Sequence, residues 1–287
     1  MIEVPTVRRR LLGAELRRLR ESAGFSLDDA AQILECDRSK ISRIETGHRG
    51  MRPKELRELL AEYGVAENRR YALADLARQA GKRGWWQDHG GILPVPYQDF
   101  ISLEASAAAQ WTYETHVVPG LLQTEDYARA VAAAGPATEA ARDHDRHAAV
   151  RRSRQQVLTR ADDPLRYLAV LSEAVLRQMV GGPGVMRAQL DRLLEVNAAL
   201  PNVTVRVLPF AVGARAAGAG AFALLMFPEP TELGVVYLDS LTGGLFLEDP
   251  KDVRRHASVH EHLRASALPA DESAALIEKA AGALPRV

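Results

Sequence analysis

Arg38, Ser39, Ser42 and Arg43 share a short segment with Ile41 and Ile44. On a helix the i, i+3 spacing turns the two isoleucines inward and the four polar residues outward. An outward arginine can form a bidentate hydrogen bond to guanine O6 and N7, and serine can reach several base edges. The segment therefore predicts base reading in the major groove, by Arg38 and Ser39 at the helix start and then by Ser42 and Arg43. A second set is suited to the sugar-phosphate backbone: Ser26, Lys40, Thr46, His48, Arg49 and Arg52, with Lys54 beyond them. From Asp37 to Lys54 there are six basic residues against Asp37 and Glu45, a local electrostatic footprint for nucleic acid. The alternative is a solvated helix of mixed charge. Agreement between caps, turn, inward pattern and outward chemistry favours DNA.

The elements that must position these residues are legible around them. Ser26 can cap a first helix, with Asp28 and Asp29 in its first turn where negative charge suits the helix dipole. Ala30, Ala31 and Leu34 give that helix a small apolar face for close packing. The chain turns at Glu35-Cys36, Asp37 caps a second helix from Arg38 to Thr46, and Gly47 ends it. Further helices are expected over Leu11–Ser22, over Pro53–Tyr63 with Pro53 in the permitted first turn, and from an Asn68 cap to about Ala80. Together they form an all-α, five-helix, helix-turn-helix head over residues 8–81.

Ser26 to Gly47 resembles the helix-turn-helix of the Cro/phage-repressor class, the XRE family, at nearly every framework position. It departs at Leu27, where the family often has Gln, at Ala30, where it has Leu, and at Glu35, where it usually has Gly. Leu27 removes a phosphate-contacting or supporting side chain. Cys36 stands where the family often has Val and reads as a small apolar plug, with a redox switch as the alternative. The resemblance implies a structural ion pair between Arg20 and Glu45, and homodimers on half-sites about one helical turn apart.

The remainder reads as a linker, residues 82–97, followed by a larger α+β domain with a short-stranded sheet, residues 98–287. The fold class is therefore α+β overall. Trp85 and Trp86 carry large apolar area and are expected to pin the linker to the second domain, or to line a partner or ligand surface. Helix is expected over Phe100–Thr112, and a β-prone piece over Glu114–Val118. Further helices are expected at Thr124–Ala134, Thr138–Thr159, Gly184–Leu200, Lys251–Ser266 and Pro269–Gly282. Strands are expected at Arg166–Leu171, Val203–Pro209, Ala221–Phe227, Gly234–Asp239 and Gly244–Glu248. Trp85, Trp86, Glu104, Ala105, Tyr113, Glu114, the run Val118 to Thr124 and Tyr127-Ala128 resemble actinobacterial regulators of the WhiJ-like, antitoxin-like kind. That resemblance implies a regulator, expected here as a repressor, with a small protein partner encoded nearby.

No catalytic constellation is visible, and no enzyme activity is expected. Glu104 and Glu114 are a candidate partner or ligand surface; carboxylates so placed also commonly bond a nearby Arg or backbone N–H groups. His256, His260 and His262 share a helix, but HASVHEH is not HExxH and no third ligand is evident, so a solvated face is expected and no metal. His144 and His147 sit among arginines and read as charged surface. The Ala/Gly stretch Gly213–Gly220 reads as a loop. No cofactor fingerprint occurs.

Thirty-seven Lys and Arg balance 37 Asp and Glu, so the whole chain is not a generic polyanion binder. A single cysteine excludes an intramolecular disulfide framework. With no apolar h-region and no spanning segment, a soluble cytoplasmic protein without membrane contact is expected. The expected function is sequence-specific, double-stranded DNA binding in transcription regulation, with the second domain dimerising and answering a small protein or small-molecule effector. The alternative is an antitoxin-like scaffold that mainly sequesters a small partner and autoregulates its own promoter.

Overall fold

The structure, a computed structural model, describes residues 6–79, 93–134, 144–216, 218, 220–228, 233–240 and 243–285. Trp85 and Trp86 lie outside the described residues. The chain divides into two compact units, Met1–Gly84 with Phe227–Leu233, and Trp85–Met226 with Gly234–Val287.

The first unit contains α1 (Val7–Ser22), α2 (Leu27–Ile33), α3 (Arg38–Glu45), α4 (Pro53–Glu62) and α5 (Glu67–Gln79). Ser26 caps α2 through a reciprocal pair: its Oγ accepts from Asp29 N–H while Asp29 Oδ2 accepts from Ser26 N–H. Asp37 caps α3 by accepting from Ser39 N–H at 2.7 Å. α5 starts at Glu67, two residues earlier than an Asn68 cap would place it, and Asn68 lies inside the helix. Leu16, Ala30, Ile41, Ile44, Leu56, Leu60 and Leu73 form one buried core.

Two backbone positions govern the α1–α3 crossing and the interhelical turn. A Cβ at Gly13 would lie 2.5 Å from the carbonyl oxygens of Ile44 and Glu45, so only glycine permits this approach. Glu35 adopts φ +47°, the left-handed region in which a side chain is strained.

The second unit contains α6 (Val95–Glu104), β1 (Ala109–Glu114), α7 (Glu125–Ala133), α8 (His144–Gln155), β2 (Arg166–Ser172), α9 (Glu173–Arg177), α10 (Pro183–Ala199), β3 (Val203–Leu208), β4 (Phe222–Met226), β5 (Gly234–Leu238), β6 (Leu245–Leu247), α11 (Pro250–Ser266) and α12 (Ala270–Gly282). The six strands form one mixed sheet in the order β3-β2-β1-β4-β5-β6. β1, β2 and β3 run parallel through helical crossovers, whereas β4, β5 and β6 are joined antiparallel. The fold is thus α+β.

β1 corrects two expectations. Helix ends at Glu104, and Ala109–Thr112 is strand, not helix. The strand ends at Glu114, so most of the β-prone piece beyond it is bend and loop. Alanine-rich sequence favours helix locally, but pairing on both edges, to β2 and β4, overrides it. Side chains alternate across this central strand. Trp111 and Tyr113 share a core with α11 residues Val253, Ala257 and Leu263. Gln110, Thr112 and Glu114 take the other face.

Thermal unfolding tests the backbone argument. Glu35→Gly should raise head stability by up to about 1 kcal/mol by relieving the left-handed strain. Gly13→Ala should lower the midpoint, because the new methyl group must push α1 off α3.

Candidate functional site

In the first unit, α3 presents two faces. Ile41 and Ile44 are buried in the core, Arg38, Ser39 and Arg43 are exposed, and Ser42 is half-buried. Arg38 leans toward Asp28 of α2 at 3.6 Å, an ion pair between two solvent-exposed side chains. Thr46, His48, Arg49 and Arg52 continue the exposed, basic side beyond α3. Thr46 Oγ1 donates to the Ser42 carbonyl at 2.8 Å, closing the last turn of the helix. Ser26 Oγ, besides capping α2, donates to Asp29 Oδ2 at 2.7 Å.

Lys40 requires a correction. Its ammonium is sequestered, donating to Glu55 Oε1 of α4 at 2.6 Å, with both side chains largely buried. Glu55 is pushed up by desolvation, but Lys40 and the Arg52 backbone N–H outweigh this and hold it below its usual range. Lys40 ties α3 to α4 rather than facing a phosphate.

Arg20 and Glu45 meet across α1 and α3. Arg20 Nε and Nη2 donate to the two Glu45 oxygens at 2.7 and 3.0 Å, and Nη1 donates to the Phe25 carbonyl at 2.8 Å. The fork holds both helices and the connection between α1 and α2 in one geometry, and the Glu45 hydrogen bond raises the Arg20 pKa.

In the second unit, Glu104 and Glu114 part company. Glu104 is 1% exposed and Arg154 of α8 is 5%. Arg154 donates from Nε and Nη2 to the two Glu104 oxygens at 2.8 and 2.9 Å, and from Nη1 to Tyr97 Oη. Its guanidinium also lies 5.2 Å from the ring centres of Tyr97 and Phe100. Burial opposes its charge, but Glu104 and Tyr97 prevail and keep it ionised. Glu104 therefore belongs to a buried pair and presents no surface, as the Arg-bonded alternative foresaw.

Glu114 lines a cavity of about 220 Å³ within the second unit. Its floor is the polar face of β1, Gln110, Thr112 and Glu114, with Tyr167 of β2 and Ala223 of β4 on either side. Phe100 and Arg154 form another wall, and Asp239, just past β5, reaches the same end of the sheet as Glu114. Burial and the neighbouring Asp239 carboxylate push the Glu114 carboxyl up to about 8. Gln110 is 3% exposed, and its Oε1 has no hydrogen-bond partner among the described residues.

The loop that follows β1 is held by its own network. Gln123 Nε2 donates to the Val118 carbonyl at 2.7 Å, and Val118 N–H donates to Tyr127 Oη at 3.2 Å. Buried Gln189 accepts from Thr124 N–H and donates to the Leu122 carbonyl. The run Val118 to Thr124 thus frames the cavity rather than supplying reacting groups. Sequence reasoning missed this cavity and its members Gln110, Tyr167 and Asp239. The one signal available was the alternation of polar Gln110, Thr112 and Glu114, which strand periodicity would have exposed.

Residues 97–279, well over half the chain, match the family described as Domain of unknown function (DUF5753). The chain belongs to the DUF5753 family. Residues 11–73 match the helix-turn-helix domain family, which covers the Arg20–Glu45 pair and all of α3. No curated protein and no solved structure matches significantly. This DUF5753 protein carries its cavity within the family-matched region, and its basic face within the helix-turn-helix match. No described helix is long and apolar enough to cross a membrane. Among the described residues no group of three or more His, Cys, Asp or Glu could hold a metal.

The α11 histidines correct a further expectation. His260 is fully buried, stacked on Trp111 at 5.5 Å, and neither ring nitrogen has a well-formed hydrogen bond. His262 is exposed, and His256 is half-buried, its Nδ1–H donating to the Asp252 carbonyl at 2.8 Å. Burial lowers the His260 pKa from 6.5 to about 4.

Two measurements follow. Unfolded His260 binds a proton near pH 6.5 that the folded ring refuses until about pH 4, so its contribution is full above 6.5 and drains as pH falls to 4. Glu114 acts in the opposite sense: its folded pKa lies above 4.5, so stability falls as pH rises from 4.5 to about 8. His260→Phe should flatten the acid limb of a denaturation–pH profile, and Glu114→Gln the limb on the alkaline side. Separately, Glu104→Gln should cost about 3–5 kcal/mol in chemical denaturation, because it strands a buried guanidinium.

Proposed function

We propose that this protein is a sequence-specific, DNA-binding transcription regulator rather than an enzyme. The observation that carries the reading is the division of α3, with Ile41 and Ile44 locked in the core and Arg38, Ser39 and Arg43 turned to solvent beside Ser42. The helix-turn-helix match supports the DNA-binding part. In this reading Arg38, Ser39, Ser42 and Arg43 read base edges. His48, Arg49 and Arg52 neutralise phosphates, and Ser26 and Thr46 approach the backbone at the ends of α2 and α3. Lys40 serves the reading indirectly, by fixing α3 against α4.

Residues 8–81 form the DNA-binding domain in this proposal, residues 82–97 the linker, and residues 98–287 the regulatory domain. The regulatory domain dimerises the chain and answers a small protein partner or small molecule, as the resemblance to WhiJ-like, antitoxin-like regulators implies. A pseudo-palindromic operator, about 34 Å between half-site centres, suits a two-fold dimer. Cytoplasmic residence follows from that function.

Selection of duplexes from a random pool, followed by titration over a salt series, tests the proposal. The wild-type chain should enrich a defined half-site. Arg43→Ala should cost about 1–3 kcal/mol on the selected duplex and relax its sequence preference. Arg49→Ala should weaken selected and random duplexes alike and reduce the salt slope by about 1. Equal wild-type affinity for selected and random duplexes would overturn the reading.

A further inference from the structure

The second unit contains a cavity whose polar lining is poorly matched to an empty space. Thr112, at the centre of the floor, is flanked in register by Ala169 of β2 and Ala223 of β4. Small neighbours on both sides leave the room that larger strand residues would fill. Into this room a central strand directs three polar side chains, Gln110, Thr112 and Glu114. A polar group removed from water costs free energy unless it is paired. Gln110 Nε2 reaches Thr112 Oγ1 at 3.4 Å, and its Oε1 has no partner among the described residues. The Tyr167 hydroxyl, near Thr112, also lacks a well-formed hydrogen bond.

The charge distribution specifies the ligand. Glu114 and Asp239 place two carboxylates on the same cavity. Asp239 accepts from Tyr237 Oη at 3.2 Å, whereas Glu114 has no ion pair among the described residues. Of the cavity's two cations, Arg154 is paired with Glu104, and Arg151 is hydrogen-bonded to a neutral amide. Arg154 spends its fork on Glu104 and its remaining nitrogen on Tyr97. Arg151 donates to Gln123 Oε1 at 2.6 Å. What perturbs Glu114 is burial and a second negative charge, with no compensating cation. Aromatic rings complete the wall: Phe100 stacks on Tyr237 with centres 4.3 Å apart. Carboxylates beside buried aromatic side chains form a chemical environment that suits an alkylammonium with an apolar body.

We propose that this cavity binds a small organic amine, its ammonium held by Glu114 and Asp239 and its body lying against Phe100 and Tyr237. The amine supplies the positive charge that Glu114 lacks and donors for the open acceptor on Gln110. This deepens the reading of the second unit as a ligand-responsive domain and rests on that part of it alone. Binding is measured without DNA, so its failure leaves the operator experiment untouched.

The test is calorimetric titration of the full chain, at mildly alkaline pH where Glu114 ionises while alkylammonium groups keep their proton. The probes are methylamine, putrescine, tyramine and tryptamine, with 3-(4-hydroxyphenyl)propionate as a carboxylate counterpart of tyramine. At least one amine should bind saturably at one site per chain, and the carboxylate should not. Glu114→Gln reproduces the shape of the neutral acid, so the fold should survive, as its thermal midpoint will report. It should weaken amine binding about tenfold or more, and Asp239→Asn should weaken it less, because Asp239 is exposed. No saturable binding by any amine overturns the proposal. So does amine affinity unchanged in a folded Glu114→Gln, or preference for the carboxylate, which would make Arg151 the anchor of an anion site instead.

Discussion

A guanidinium buried in the second unit constrains everything around it. Arg154 gives up its hydration, and such a charge survives in an apolar setting only if its donors are satisfied. Glu104 takes two of them in a fork, Tyr97 a third, and the rings of Tyr97 and Phe100 cover the cation. These partners sit on α6, so α6 and α8 are fixed with respect to each other although 50 residues separate Glu104 from Arg154. Gly120 feels the same constraint: a Cβ there would come 3.1 Å from Arg154 Nη1. The loop after β1, the helix wall and the cavity beneath them are consequences of where this one charge is held.

The first unit solves a similar problem by similar means. Arg20 binds Glu45 in a fork and the Phe25 carbonyl with its remaining nitrogen. Gly13 permits the close crossing, and Lys40 with Glu55 pins the opposite flank of α3. Contacts with α1 and α4 therefore hold α3 on its inner side and flank, and its outer face carries only the solvent-exposed Arg38–Asp28 pair among the ion pairs described. A reading surface needs that separation, because a side chain used to hold the helix cannot also rearrange around a base.

Sequence reasoning succeeds where local signals and tertiary demands coincide. Ser26, Asp37 and Gly47 announce the ends of α2 and α3 because capping is local chemistry. Inward Ile41 and Ile44 follow from helical period alone. It fails where a distant partner decides. Lys40 lies beside outward residues, and nothing near it in the chain points to Glu55. Glu104 and Glu114 share a motif and a residue type, yet one is committed to an arginine far along the chain and the other faces a cavity. Ala107 to Thr112 favours helix by composition, and becomes the central strand because β2 and β4 pair with it. His260 sits four residues from half-buried His256, and its burial depends on Trp111, which belongs to that misread strand.

The misread strand is also the informative one. Its two faces obey different rules. Trp111 and Tyr113 fill the core against α11, as a central strand should. Gln110, Thr112 and Glu114 do not, and no folding requirement explains three polar side chains in succession at the centre of a sheet. Apolar residues of similar size would pack there without an open amide oxygen or a carboxyl whose pKa is raised by burial and by Asp239. A fold that tolerates such cost at adjacent positions has a use for the polarity, since strained or unsatisfied groups collect where a ligand will satisfy them. The acceptors gathered at that place, with Arg154 already paired to Glu104, suit the positively charged donor proposed above.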